Sequence, residues 1–228
     1  MLQKFLAPLH PDGIKFVLVA AAVTLVLFIL WAPLGWLALV LTLWIGYFFR
    51  DPFRVTPTRG GLIISPADGV VLSVAPAPLP PELAMSEDAW TRISIFLNIL
   101  DVHVIRAPLS GRVADLSYVK GRFINASSDK ASEHNERLAV RIAPPEGPEI
   151  GFVMIAGLIA RRIVCDLYEG RQLAAGQRVG IIRFGSRVDI YCPASYVPLV
   201  IEGQRMIAGE TVLADREAME PARQGVAQ

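Results

Sequence analysis

The sequence holds only two cysteines and three histidines, is 19% charged, and has no lysine after Lys130. Each scarcity closes off a class of protein. Cys165 and Cys192 stand far apart, with no Cys-x-x-Cys pairing and no neighbouring histidine. A disulfide-stapled secreted miniprotein therefore does not fit, and the two read as free thiols in a reducing compartment. His10, His103 and His134 are dispersed and no acidic cluster accompanies them, so no metal site is expected. A formal net charge of +1 without a basic run gives no electrostatic case for a nucleic-acid partner. Ordinary soluble domains carry roughly 25% charged residues. With 53% hydrophobic residues and a mean hydropathy of +0.45, part of this 228-residue chain is not built to face water.

That part is concentrated. Residues 16–49 contain no Asp, Glu, Lys, Arg or His, a run of 34 residues. As one helix it would reach about 51 Å, against a hydrocarbon core of about 30 Å. Ala32-Pro33-Leu34-Gly35 supplies a break, which divides the run into helices near residues 14–31 and 34–49. The run far exceeds the roughly 7–15 apolar residues of a signal-peptide core. Lys4 and Lys15 precede it and Arg50, Arg54 and Arg59 follow it, so both ends are expected on the cytoplasmic side of the membrane. A tight hairpin, spanning or re-entrant, is the expectation. Phe48-Phe49-Arg50-Asp51-Pro52-Phe53-Arg54 then reads as an interface anchor, with rings at headgroup depth and arginines able to meet lipid phosphates.

Beyond Gly61 the pattern changes to short, β-branched or alternating segments separated by turns. Strands are expected near residues 62–64, 70–74, 92–97, 137–142, 151–160, 178–184, 188–191 and 197–201. Pro198 demotes the last to an edge or a strand start. Residues 144–148, Pro-Pro-Glu-Gly-Pro, read as a hairpin end. The expected fold class is mainly β (α+β): a compact β-sandwich or barrel-like domain over residues 55–228, behind a two-helix membrane hairpin and anchor over residues 1–54.

Three places in this domain can carry chemistry. His103 lies among apolar residues in Asp101-Val102-His103-Val104-Ile105-Arg106, where a structural histidine and a proton-transfer group are both open readings. Ser65-Pro66-Ala67-Asp68-Gly69 is a turn by composition, and an Asp held in a turn can orient a histidine. In Arg183-Phe184-Gly185-Ser186-Arg187 a serine follows a glycine between two apolar segments. The pair can be a simple bulge. Alternatively, the serine hydroxyl attacks the glycine carbonyl, and β-elimination of the resulting ester leads to an N-terminal pyruvoyl group.

The order of these motifs, together with Phe48-Phe49-Arg50-Asp51-Pro52 and Asn135-Glu136-Arg137, resembles that of phosphatidylserine decarboxylase proenzymes of the short form, from about Tyr47 to Ala214. The resemblance implies self-cleavage between Gly185 and Ser186 into a membrane-bound chain of residues 1–185 (the β chain) and a small chain of residues 186–228 (the α chain). The small chain would begin with a covalent pyruvoyl group derived from Ser186, and no diffusible cofactor or metal is implied. Asp68 and His103 would help activate Ser186. Phosphatidylserine would be decarboxylated to phosphatidylethanolamine through a Schiff base on the pyruvoyl group, with Arg50 and Arg54 holding the anionic headgroup. The implied partners are the substrate lipid, the bilayer and the two cleaved chains as a heterodimer, with further oligomerisation open. The implied location is the inner membrane, with the catalytic domain on its cytoplasmic side.

Two departures accompany the resemblance. Long-form relatives carry a second histidine where this chain has Arg106, and Leu-Gly-Ser-Thr where it has Phe184-Gly185-Ser186-Arg187. Two other readings remain at this point: a membrane-tethered, non-catalytic β-sandwich adaptor or lipid-binding module, and a pyruvoyl decarboxylase of a soluble amino acid.

Overall fold

Proline and histidine decide where the first helix begins. The computed structural model describes residues 7–86, 89–126, 131–157, 163–183, 185–221 and 223–226. In it α1 runs Pro11–Leu30 and α2 runs Ala32–Phe48. Pro11 sits in the first turn, where its missing N–H has no intrahelical partner, and His10 Nδ1 accepts the Asp12 N–H at 3.3 Å as the N-cap. The helix therefore starts three residues before the expected position. Between the helices only Trp31 leaves helical geometry, because Pro33 falls in the first turn of α2. Gly35, expected within the break, lies inside α2 and lets it approach α1; a Cβ there would stand 2.4 Å from the Phe28 ring.

One polar contact crosses the hairpin, Thr24 Oγ1 to Thr42 Oγ1 at 2.9 Å. At its base the Phe49 carbonyl accepts the His10 N–H at 2.8 Å and the Pro8 carbonyl accepts the Asp51 N–H at 2.7 Å. Among the described residues one helix, α1, is long and apolar enough to cross a membrane; the 17-residue α2 falls short of the same length. This hairpin belongs to a unit of Met1–Phe53 with Leu100–Val102, and the second unit comprises Arg54–Ile99 with His103–Gln228.

The second unit is mainly β. In chain order its strands are β1 (Leu62–Ile64), β2 (Gly69–Pro76), β3 (Trp90–Leu97), β4 (Val104–Arg106) and β5 (Gly111–Val119). After a single helical turn, α3 (Ala131–His134), come β6 (Arg137–Ala143), β7 (Ile150–Ala156), β8 (Ile163–Cys165), β9 (Gln172–Leu173) and β10 (Arg178–Ile182). The series ends with β11 (Ser186–Pro193), β12 (Val197–Pro198), β13 (Arg205–Met206) and β14 (Val212–Asp215). An eight-stranded sheet has the order β13-β2-β3-β11-β7-β6-β5-β9, and two three-stranded sheets are ordered β1-β14-β12 and β4-β10-β8.

Alternation along the central strands explains why the large sheet is buried on both faces. Val188, Ile190 and Cys192 of β11 join Ile93, Ile95, Phe152 and Met154 in the main core, which Ile105, Val179 and Leu213 of the small sheets complete. The opposite face carries Tyr191, Trp90, Val153 and Ile155 beneath Leu83. Both cysteines are free thiols; Cys192 is buried, whereas Cys165 is only half-buried.

Several strand ends differ from expectation. β7 stops at Ala156 and β10 at Ile182, while residues 158–160 and Phe184, which the expected strands included, lie outside the described residues. β12 shrinks to two residues at the edge of its sheet, consistent with Pro198 lacking a ladder donor. β5 was not expected at all, although Gly-Arg-Val-Ala-Asp-Leu-Ser-Tyr-Val pairs with β6 over nearly its whole length.

Candidate active site

Gly185 and Ser186 lie where the chain passes from β10, in a small sheet, to β11, in the large one. Ser186 opens β11 and is flanked on both sides, by Leu97 of β3 and Ala156 of β7. Alternation places its side chain on the face of Val188 and Ile190, and it is fully buried. Its Oγ has no hydrogen-bond partner among the described residues. Most buried hydroxyls are satisfied, so this one is an exception that calls for a role.

Gly185 has φ +62°, in the left-handed region that other L-residues enter at a cost. Its N–H donates to Nε2 of the fully buried His103 at 3.3 Å. An accepting Nε2 means a neutral ring with its proton on Nδ1. The ring is also tied in through its backbone, since the His103 carbonyl accepts the Ile182 N–H at 3.2 Å. The Gly185 carbonyl faces Gly157, where a Cβ would come within 2.1 Å of the carbonyl oxygen. A buried free hydroxyl, a left-handed glycine beside it and a neutral imidazole on that glycine's N–H are suited to attack of the serine on the preceding carbonyl.

Asp68 ends the turn before β2. The turn is pinned by Ser65, whose Oγ donates to the Ala67 carbonyl at 2.7 Å and whose backbone carbonyl accepts the Gly209 N–H at 2.8 Å. The carboxylate accepts the Ala208 N–H at 2.7 Å, and Arg54 Nη2 reaches its two oxygens at 3.0 and 2.7 Å. Arg54 and Asp68, singled out separately in the sequence, thus form one largely buried ion pair. Arg106 stands on the same side of Gly209 as Arg54; its N–H donates to the Pro66 carbonyl and its Nη1 to the Gly176 carbonyl. Arg106 is therefore a buried cation beside the Asp68 turn. Arg50 lies in the hairpin unit, with its guanidinium over the Tyr47 ring and donating to the Tyr47 and Leu100 carbonyls.

Sequence reasoning left two residues at the site without a role. Gly157 is one. Asn135 is the other: the run 125–137 reads as a solvated loop, yet Asn135 is fully buried. Its Nδ2 donates to the Ala156 and Ile124 carbonyls at 2.7 and 2.8 Å, and its Oδ1 accepts the Ile124 N–H at 2.9 Å. Residues 127–130 of that run lie outside the described residues. The signal was its place in the Asn135-Glu136-Arg137 motif, two residues before β6 begins.

On the opposite face of β11, Arg187 and Asp189 form a fully buried ion pair at 2.5 Å, and Ser94 and Ser132 take up further valences. Farther along, burial pushes the Cys192 thiol up to about 12, and burial followed by the Asp189 charge pushes the Tyr191 phenol up to about 12.

Residues 41–214 match the family model described as phosphatidylserine decarboxylase. A Cereibacter sphaeroides protein named phosphatidylserine decarboxylase proenzyme is 54% identical over 227 residues, covering 100% of this chain and 98% of its own. Proteins of the same name from Ruegeria pomeroyi and Paramagnetospirillum magneticum are each 54% identical, covering 94% and 96% of this chain and 98% and 91% of their own. The family model covers the end of α2 and the β unit, the identity extends over the hairpin as well, and the chain belongs to the phosphatidylserine decarboxylase family.

Proposed function

We propose that this chain is a self-processing, pyruvoyl-dependent decarboxylase of phosphatidylserine. The observation that carries the reading is the buried, unpartnered Ser186 Oγ directly after a left-handed Gly185 whose N–H rests on His103 Nε2. Family membership and relatives named as proenzymes support it.

Maturation is written on the chain's own atoms. Ser186 Oγ bonds to the Gly185 carbonyl carbon while its proton passes, with His103 as carrier, to the Ser186 nitrogen as the C–N bond breaks. The product is an ester with the same atoms as the peptide. Removal of the Ser186 Cα proton then expels the Gly185 carboxylate and leaves dehydroalanine. One water enters and one ammonia leaves, giving residues 1–185 and a pyruvoyl-started 186–228. The resemblance assigns Asp68 a part in activating Ser186, from a turn in which Arg54 and the Ala208 N–H hold its carboxylate. The two chains stay together because β11 is hydrogen-bonded along its length to β3 and β7, both contributed by residues 1–185.

The pyruvoyl group supplies an electron sink for the electron pair released with carbon dioxide. The site fits it: Ser186 is buried beside the main core, and His103, whose Nε2 accepts the Gly185 N–H, offers a neutral ring nitrogen for proton transfer. Arg50 and Arg54 are assigned to the anionic headgroup, and because Arg54 is also paired with Asp68, the test is Arg50→Ala alone, which should raise the apparent KM for dispersed lipid. The hairpin lies in the inner membrane, with the positive flanks and the β unit on the cytoplasmic side.

Intact mass spectrometry of the purified, detergent-solubilised protein tests the reading. The expected result is two chains dividing after Gly185, the smaller one lighter by one ammonia than a serine-started peptide. A single uncut chain in demonstrably folded protein overturns it. Competition between dispersed phosphatidylserine and free serine separates a lipid decarboxylase from one acting on a soluble amino acid.

A further inference from the structure

We infer that Gly157 is a positioning residue for self-cleavage: its bare Cα is the seat on which the Gly185 carbonyl rests, and Asn135 holds that seat in place. The inference rests on the self-processing reading above and assigns residues to it.

Three contacts define the seat. A Cβ on Gly157 would lie 2.1 Å from the Gly185 carbonyl oxygen and 3.0 Å from its carbon. Both contacts are to backbone, and the Ala126 Cβ closes a further side at 3.2 Å. Gly157 itself has no positive φ, so the glycine is required by the approach and not by its own backbone. The Gly185 position differs: there the φ of +62° is the constraint, and a Cβ would meet nothing within 4 Å.

Ala156, the residue that leads into Gly157, is clamped from two directions. The Ala156 carbonyl accepts from Asn135 Nδ2 at 2.7 Å, and the Ala156 N–H donates to the Glu136 carbonyl at 2.9 Å. Asn135 is thereby fixed to the same peptide that carries the seat, while its remaining bonds hold Ile124. The Gly185 carbonyl is thus located by Gly157 on one side, and the preceding N–H by His103 on the other. Between them they hold the Gly185 backbone on both sides of its Cα, and with it the orientation of the scissile carbonyl. A methyl at 157 pushes the carbonyl away by about 1 Å, and a misplacement of that size costs about a hundredfold in rate.

The test uses the full chain, synthesised into detergent micelles and followed by mass spectrometry as it matures. Wild type, Ser186→Ala, Gly157→Ala, Asn135→Ala and Gly111→Ala are compared, each with its thermal midpoint. Gly111→Ala is the steric control: its Cβ also meets a backbone carbonyl, Ala143 O at 2.5 Å, but at the far end of the sheet. Hydroxylamine added during maturation cuts the ester and so reports on its formation apart from the later elimination.

The expected result is that Gly157→Ala matures about a hundredfold more slowly with no hydroxylamine-sensitive ester. Asn135→Ala, which loses the clamp without adding volume, slows about tenfold, as the loss of one such bond would. Gly111→Ala matures at the wild-type rate even if its midpoint falls as far. If wild type divides after Gly185 and Ser186→Ala does not, yet Gly157→Ala matures normally, the inference is overturned and the self-processing reading stands. If wild type stays whole, or Ser186→Ala divides, that reading fails instead. Should Gly157→Ala not fold, Asn135→Ala decides: wild-type maturation in that variant overturns the inference.

Discussion

Leu18, Val19, Leu25 and Ile29 of α1 are 64–79% exposed, whereas Ile93, Ile95, Val188 and Ile190 of the β unit are fully buried. The residue types are the same and their placement is opposite. In the hairpin, helices satisfy their own backbone and turn apolar side chains outward; in the β unit, strands need neighbours and turn theirs inward. The polar residues divide in the reverse sense. Thr24 is the buried polar residue within the two helices, while the β unit buries His103, Asn135, Ser186, Arg187 and Asp189. The contrast teaches that the hairpin spends its sequence on its solvent and the β unit on placing polar groups where water is excluded. α1 at 20 residues spans about 30 Å, the thickness of a hydrocarbon core.

The largest effect expected is at the buried polar centre. Ser186→Ala should remain one chain and lose all decarboxylation, read by intact mass and by release of carbon dioxide from dispersed phosphatidylserine. A cleaved, active variant would remove the chemical half of the contrast. Next comes Arg187→Ala, which strands the buried Asp189 charge and should destabilise the β unit by about 3–5 kcal/mol in urea titration. An effect below about 1 kcal/mol would mean the pair is hydrated, as exposed pairs are.

A matched pair of truncations sharpens the comparison directly. Ile190→Ala should cost the β unit about 2–5 kcal/mol. Leu25→Ala, taking away a comparable side chain from the exposed face of α1, should leave that transition within about 0.5 kcal/mol. Equal effects would show that α1 is packed against protein and not built for lipid.

Alkaline pH gives a smaller, graded effect. At neutral pH the Cys192 thiol and the Tyr191 phenol are protonated whether the chain is folded or not. As pH rises past 9 and then 10, the unfolded chain releases protons that the folded chain keeps up to about 12. Stability therefore falls across that window, and Cys192→Ala should make the fall shallower in urea titrations at stepped pH. Smallest of all, Thr24→Val removes the hydroxyl contact to Thr42 and should cost the hairpin about 0.6 kcal/mol, read as helix association in micelles.

What could be read from the chain follows from the range of the forces involved. The uncharged run 16–49 announces the hairpin because partition into lipid acts on each residue separately. Its boundaries shifted because capping is a local bargain that hydropathy does not register: His10 and Pro11 start α1, and Pro33 permits α2 immediately after Trp31. Strands β2, β3 and β6 were legible in their alternation. β5 escaped because its burial is irregular and a register shift falls between Val113 and Asp115.

At the site, Gly185, Ser186, His103 and Asp68 could be named from motif order, which is a property of the chain. That Arg54 pairs with Asp68, that His103 meets the Gly185 N–H, that Gly157 faces the Gly185 carbonyl and that Asn135 bonds the Ala156 carbonyl could not. The sequence by itself determined the apolar hairpin and the β character and singled out the serine, since each depends on residue type and near neighbours. Only the tertiary structure decided which backbone would lie against the Gly185 carbonyl, because β7 and β11 meet through sheet pairing between residues some thirty positions apart. Contacts of that range leave no local pattern to read.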